Sequence, residues 1–419
     1  MKQVLSKVAI AAWAAAGGVA VMSGTANAQN APTIQPMSGA PEIRDGEQRF
    51  KVRGRFQYDV TSSEWDVLDE DGNRSFVRRA FLGAQGRLTD RWRYKVDFVL
   101  NPGASEGDAS GGQDVAVDDA YLEYAGDFFF VVIGENNVTS PLEDRTSSLD
   151  IPFIERSSFI NTFGYGRAAG VAGLVTGANW MAALGVFGDS LNNQDTNFAN
   201  DEQFSVSGRF TWAPIFEATP DSYRLLHLGV SARQRHVGDD AAQRFRTRPL
   251  NGRGTRWIDA GAGLAGESDT SLGLEIAGQW DAFGFTAEYA TLDGESVTAV
   301  DFDYDGYYVD LYWSLTGEPR AYRGNQGSFG AVVPEHPLNQ GGWGHWMLSA
   351  RYDFVDLSDP AGAAATRGEQ SAYALGLDWI PIDHVRFKLN YAVSEADRSS
   401  PLALDEEARV ITLRTQFDF

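Results

Sequence analysis

Basic side chains recur at every second position in several stretches of this sequence. In FKVRGRFQYDV, Lys51, Arg53 and Arg55 alternate with Phe50, Val52, Gly54 and Phe56, and in RWRYKVDFVL, Arg91, Arg93 and Lys95 alternate with Trp92, Tyr94 and Val96. Arg79 and Arg87 precede that second run, and Arg386, Lys388 and Arg414 continue the pattern near the C-terminus. A spacing of two puts all members of a run on one face of an extended strand. The acids sharing that face nearby are only Asp59, Asp97 and Asp418. A row of permanently charged guanidiniums does no proton chemistry at neutral pH; in a narrow aqueous space it attracts anions and repels cations. A second face, carrying Glu275, Glu288 and Asp310, has no evident basic partner, so the pattern predicts a basic wall opposite a smaller acidic one. For any single arginine the competing role is structural: pairing with a carboxylate to hold a loop, without touching solute.

Other chemistries find little support. There is no cysteine, hence no disulfide, thiol nucleophile or thiolate metal site. Of the five histidines, His227 and His345 fall on the basic face's side of their strands, whereas His236, His336 and His384 fall in loops or at strand ends. No serine stands in a nucleophile-elbow context, so no enzyme is expected. No cofactor is expected either: GAGLAG at 261–266 matches a dinucleotide fingerprint by letter, but no βαβ unit surrounds it. DFDYDG at 301–306 begins like a calcium loop, yet its twelfth position is Tyr312, which excludes an EF-hand. A weak surface cation site of Asp301, Asp303 and Asp305 is the residual expectation there. The formal charge of -22 argues against nucleic acid.

The elements that must carry the basic rows are strands. Period-two alternation divides the chain into about sixteen segments of roughly ten residues, the length a strand needs to cross a bilayer. Aromatic residues cluster near the segment ends on the apolar face (Trp92, Tyr94, Tyr124, Trp180, Trp212, Trp280, Trp313, Tyr352, Trp379), as an interfacial girdle requires. The fold class is therefore all-β, a transmembrane antiparallel up-and-down barrel in which the final segment, ending at Phe419, pairs with the first because lipid cannot satisfy an open edge. Odd-to-even connections are mostly long and even-to-odd ones short. The segment 316–342 breaks this rule: it is long but falls on the short-turn, periplasmic side.

Residues 1–28 read as an export signal: Lys2 and Lys7 precede an apolar stretch and the small-residue site ANA, which predicts cleavage after Ala28. Residues 29–48 are expected to be a flexible periplasmic segment, and 49–419 the barrel in the cell outer membrane, with 137–166 as its third external loop.

The stretches VRGRFQYD, VRRAFLGAQGRLTDRWRYKVDF, VDDAYLEY, SPLEDRTSSLDIPFIERSS, RFRTRP and LTGEPRAY, in this order, resemble the phosphate-selective porin O and P family of Gram-negative outer membranes. The resemblance implies a homotrimer of sixteen-stranded barrels, each narrowed by an inward-folded third loop, with basic residues along the path. It also implies that Arg156 occupies the loop-three arginine position and Asp119 the acidic position of the fourth strand, and that the Phe419 strand is the signal read by the outer-membrane assembly machinery. Two departures stand out. Phe81 replaces an arginine usual after RRA, and loop three carries Glu143, Asp144, Arg145 and Asp150 where lysines are expected. The expected function is passive diffusion of small anions, phosphate or polyphosphate among them, past Lys51, Arg53, Arg55, Arg79, Arg93, Lys95, Asp119, Arg145, Arg156, Arg386, Lys388 and Arg414. The alternatives are a channel for a bulky organic anion, suited by Phe81, Tyr121, Tyr308 and Tyr312, a general small-solute porin, or a plugged structural barrel.

Overall fold

The computed structural model describes residues 33–35, 39–68, 70–100, 115–137, 139–192, 203–219, 222–237, 243–360, 366–398 and 405–419. The expected export signal lies outside them. Sixteen antiparallel strands close into one barrel. They are β1 (Gln48–Trp65), β2 (Gly72–Arg87), β3 (Trp92–Leu100), β4 (Val115–Ala125), β5 (Phe129–Asn136), β6 (Ala168–Thr176), β7 (Trp180–Phe187) and β8 (Phe204–Thr219) in the first half. The second half is β9 (Ser222–His236), β10 (Gly266–Trp280), β11 (Phe283–Ser296), β12 (Asp301–Ser314), β13 (His345–Asp356), β14 (Gly368–Ile382), β15 (Val385–Arg398) and β16 (Glu406–Asp418). Each strand pairs with its sequence neighbours, and β16 pairs with β1 from Ala408↔Trp65 to Asp418↔Arg55, so no edge is left for lipid to solvate.

Phe419 completes this seam. Its backbone N–H donates to Gly54 O and Gly54 N–H donates to Phe419 O, both at 3.1 Å. The terminal ring lies over Gly54, whose missing Cβ would sit only 2.2 Å from Phe419 Cζ. Glycine is required there because any side chain would displace the ring.

Outward residues are apolar and girdled by aromatic pairs: Trp92 against Tyr124 at 5.0 Å, Phe283 stacked on Trp313 at 5.4 Å, and Trp346 on Trp379 at 5.4 Å. The lumen of the outer half is filled on one side by loops. The third loop, between β5 and β6, and the fifth, between β9 and β10, bring Phe159, Phe163, Phe245 and Trp257 against Tyr304, Tyr308 and Val355 of the wall. That apolar core lies inside the barrel and leaves the passage displaced toward β1–β9.

Two expectations need correction. Residues 29–48 are not uniformly unstructured, since Glu42–Asp45 forms a short strand paired with the start of β1. The two-residue turn is Gly46-Glu47, and glycine at its first position takes the positive φ of 58° that this hairpin turn needs. Asp301, Asp303 and Asp305 do not form a loop, because β12 begins at Asp301. Phe302 and Tyr304 point inward and are buried, so the three carboxylates are spread along the outer face of a strand and do not converge. The segment 316–342 reflects no error in strand count. It re-enters the lumen from the periplasmic side, where Arg209 Nη2 donates to Gly327 O at 2.7 Å and His227 Nδ1 meets Tyr322 Oη at 2.7 Å.

Candidate functional site

The third loop is stapled to the wall behind it. Its two short helices, Leu142–Arg145 and Ser158–Thr162, each leave N–H groups without intrahelical partners. Wall carboxylates take them: Glu288 of β11 accepts from the N–H groups of Leu142 (2.8 Å) and Glu143 (2.7 Å), and Asp353 of β13 accepts from Ser158 N–H at 2.8 Å. Basic residues hold the loop's carbonyls. Arg414 donates to Ile154 O at 2.8 Å, Arg386 to Leu149 O, and Lys388 to Ile151 O and Pro152 O.

This separates the twelve expected path residues into two groups. Arg386, Lys388 and Arg414 lie beneath the loop, and they line neither the larger cavity in front of it nor the smaller one toward the periplasmic end. Arg414 also makes a two-pronged pair with Asp59 (2.7 Å each), and Lys388 pairs with Asp378 at 3.2 Å. Arg156, at the loop-three arginine position, turns inward to the carbonyls of Glu143, Asp144 and Thr146 at 3.0–3.2 Å. It tightens the loop while still bordering the passage. The expected acidic wall is not unopposed either. Arg209 clasps Glu275 at 2.7–2.8 Å and Arg351 clasps Asp310 at the same distances, both pairs buried. Arg209 and Arg351 lie on strands other than those of their acids, and cross-strand pairing cannot be read from alternation within one strand.

In front of the loop lies a cavity of about 1180 Å³ lined by Arg53, Arg55, Arg79, Arg93, Lys95, Asp119, Arg145 and Arg156. Lys51 borders a smaller cavity of about 150 Å³ toward the periplasmic end, beside His384 and Phe419. Arg53 is balanced by Asp97 at 3.4 Å and Arg93 by Glu123 at 3.0 Å. Lys95 and Arg167 converge on Asp119. The remaining three differ: among the described residues no carboxylate oxygen comes within 4.0 Å of the Arg55, Arg79 or Arg145 guanidinium. Arg55 donates to Ser148 Oγ at 2.9 Å and lies 4.7 Å over the Phe81 ring; Arg79 donates to Gln57 at 3.1 Å and Arg145 to Asn137 at 3.1 Å. Burial, with Tyr121 drawing it up and Arg209 pushing it down, lowers the Arg145 pKa from its ordinary value. Arginine remains charged under such a shift. The three thus present half-buried cationic donors to the cavity between loop and wall.

Sequence alternation missed several neighbours. Arg78 and Arg79 both face inward because a bulge between Gln57 and Tyr58 on the partner register inserts an extra residue in β2. Arg78 makes a two-pronged pair with Glu155 of the loop at 2.8 Å. Burial pushes the Glu155 carboxyl up, but Arg78, Arg79 and Arg414 outweigh it and hold the group well below its ordinary range. Arg233, Arg235, Arg244, Arg246, Arg248 and Arg256 also border the cavity; four of them belong to the fifth loop, where Arg244, Arg246 and Arg248 of RFRTRP repeat the two-residue spacing of the wall, a signal that could have found them. From the periplasmic side Arg323 enters with the re-entrant segment, and Arg320 donates to Asp150 O of the third loop at 3.1 Å.

One carboxylate cluster has a metal-like arrangement, with oxygens of Asp97, Asp118 and Asp119 within 4.8 Å of one another. Lys95, Arg53 and Arg167 already neutralise it, with Arg167 at 3.2 Å from Asp118 and 2.8 Å from Asp119. A cation would have to displace these three charges, so the cluster fits an ion-pair network better than a metal.

Set against known proteins, residues 50–419 match the family described as phosphate-selective porin O and P. The chain belongs to the porin O and P family. It is 28% identical to Porin O of Pseudomonas aeruginosa over 435 residues, covering 95% of each chain. Among solved structures, Pseudomonas putida OprB aligns with a TM-score of 0.55 at 12% identity, covering 88% of this chain and 94% of that one. The trimer form of Vibrio cholerae OmpT aligns with a TM-score of 0.50 at 13% identity, covering 88% and 99%. A porin of this family is an outer-membrane channel, and the displaced, loop-narrowed lumen is its conduit.

Proposed function

We propose that this porin conducts small anions by passive diffusion, as a homotrimer delivered to the outer membrane after removal of residues 1–28. The observation that carries the reading is the set of Arg55, Arg79 and Arg145, three guanidiniums without a carboxylate within ion-pair distance, at the passage between loop and wall. A partly dehydrated anion there replaces lost water hydrogen bonds with N–H donors, while a cation meets uncompensated charge. Phosphate and polyphosphate belong to this class, as the family's name suggests. The trimer form of OmpT and the family resemblance support the assembly state. The Phe419 strand is proposed as the signal for the assembly machinery.

The test is the reversal potential of purified protein in a planar bilayer under a potassium chloride gradient, repeated with phosphate. Anion selectivity is expected, with phosphate reducing the chloride current. Cation selectivity would overturn the reading, and a complete lack of current would favour a plugged barrel.

A further inference from the structure

Opposite the arginines, the wall of the same cavity changes character. Ladder pairing across β4–β7 aligns lumenal residues into rows: Tyr121, Gly134, Gly170 and Phe187 in one, Glu123, Val132, Ala172 and Gly185 in the next, with the Glu123 carboxylate held by Arg93, and Ala125, Phe130, Leu174 and Ala183 in the third. Tyr121, Phe130, Val132, Leu174 and Phe187 all border the cavity. These rows follow one another by two residues, so the strip runs about 13 Å along the strands at ~3.3 Å per residue. In a water-filled barrel the inward face is ordinarily polar. Here four apolar side chains on three strands border the cavity, beside Tyr121 and the ion-paired Glu123.

The strip is shaped as well as apolar. Phe187 lies flat along the wall, with its ring atoms 2.6 Å from where a Gly170 Cβ would stand and 2.4 Å from that of Gly185. Two glycines therefore clear the space in which the ring packs; Phe187, Val132 and Leu174 are buried against one another, with 3–7% of each exposed, and the apolar surface offered to the passage is chiefly that of Tyr121 and Phe130. On the other side Arg93 lies 5.8 Å from the Phe130 ring centre, so the change from charged to apolar wall falls within one side chain's width.

From this arrangement we infer that the pore's preferred solutes are amphipathic organic anions, with a carboxylate or similar acidic head on the arginines and an apolar body on the Tyr121–Phe130–Val132–Leu174–Phe187 strip. The inference rests on the anion-channel reading given above and narrows its substrate class. Inorganic phosphate has oxygens on every side and needs donors all round, and a wall of Val132, Leu174 and Phe130 supplies none. An aryl or alkyl carboxylate has one polar end and gains by removing its other end from water.

The experiment compares benzoate with acetate, which share a head group and differ in the apolar body. Each is titrated against the chloride current of the full-length protein in planar bilayers, beside inorganic phosphate. Half-burial of a phenyl ring on the strip predicts half-blocking by benzoate at a concentration about tenfold below that of acetate. L174N together with F130S should bring the two concentrations together. Equal block by benzoate and acetate in the unaltered protein, or phosphate blocking at lower concentration than benzoate, would overturn the inference. Either result with an anion-selective reversal potential leaves the channel reading intact; a cation-selective potential removes both. Because the comparison is first made on the unaltered chain, it does not depend on the variant folding.

Discussion

Replacing Arg79 by glutamine removes one of the three guanidiniums without a carboxylate neighbour and keeps a side chain able to meet Gln57. Its effect on selectivity follows from Coulomb's law. An anion passing ~6 Å from the charge, in surroundings of effective dielectric ~40, between bulk water and protein, is favoured by about 1.4 kcal/mol. Screening at physiological ionic strength, over a length of ~8 Å, leaves about 0.7 kcal/mol. A cation on the same path is disfavoured by the same amount, so the anion-to-cation permeability ratio should fall by about tenfold in R79Q. The assay is the reversal potential under a potassium chloride gradient at two ionic strengths, with a smaller drop expected at the higher one. R91Q is the matched control: Arg91 is exposed in the turn between β2 and β3 and pairs with Asp127 at 3.1 Å, so it removes the same formal charge away from the passage. A ratio unchanged in R79Q would show that Arg79 does not set selectivity, and an equal reduction in both variants would show that total charge and not the placement of Arg79 does.

Two further outcomes are expected. E155Q removes the carboxylate shared by Arg78 and Arg414; Arg414 keeps Asp59, and the loss of the two-pronged Arg78 pair weakens the anchoring of loop three by about 3–5 kcal/mol; single-channel records should turn from steady to flickering, and steady current would refute the anchoring role. Glu318 offers a pH test: burial pushes its carboxyl up, but bonds from His345 (3.0 Å), Thr316 (2.5 Å) and the Glu335 N–H (3.1 Å) outweigh that and hold its pKa at about 2, against an ordinary 4.5. A depressed carboxylate pKa stabilises the folded state above the unfolded value, so the re-entrant segment should loosen as pH falls from about 4.5 toward 2, seen as faster proteolysis of 316–342, with the step missing in E318Q.

The strands were legible because the bilayer permits little else. Lipid on one side and water on the other impose a strict period of two, and all sixteen segments were found by it, though β8 continues to Thr219 and β12 starts at Asp301, where the chain has left the apolar layer. Face assignment failed where the backbone breaks period. The β2 bulge brings Arg78 in beside Arg79, and the positive φ of Gly134 turns Glu135 into the lumen, where it accepts from Ser190. Whether an inward base meets solute or loop was not legible at all. Arg55 and Arg414 sit on adjoining strands with the same alternation, yet one faces the passage and the other is sealed under Ile154, because the course of a loop without periodicity decides between them. The apolar strip was hidden for a related reason: in β5 and β6 both faces are apolar, so the letters show a hydrophobic run with no inside or outside.

Arg414 also ties two events of the chain's maturation together. Its guanidinium joins Asp59 of the first strand to the last, and the same group grips Ile154 and Glu155 of the constriction. The Asp59 half of that grip exists only when the first and last strands of the barrel are neighbours, and Phe419 adds two further rungs between them. A chain lacking its end therefore lacks both the seal and the full anchor of the filter. In this molecule a finished wall and a narrowed gate are properties of the same closing contact.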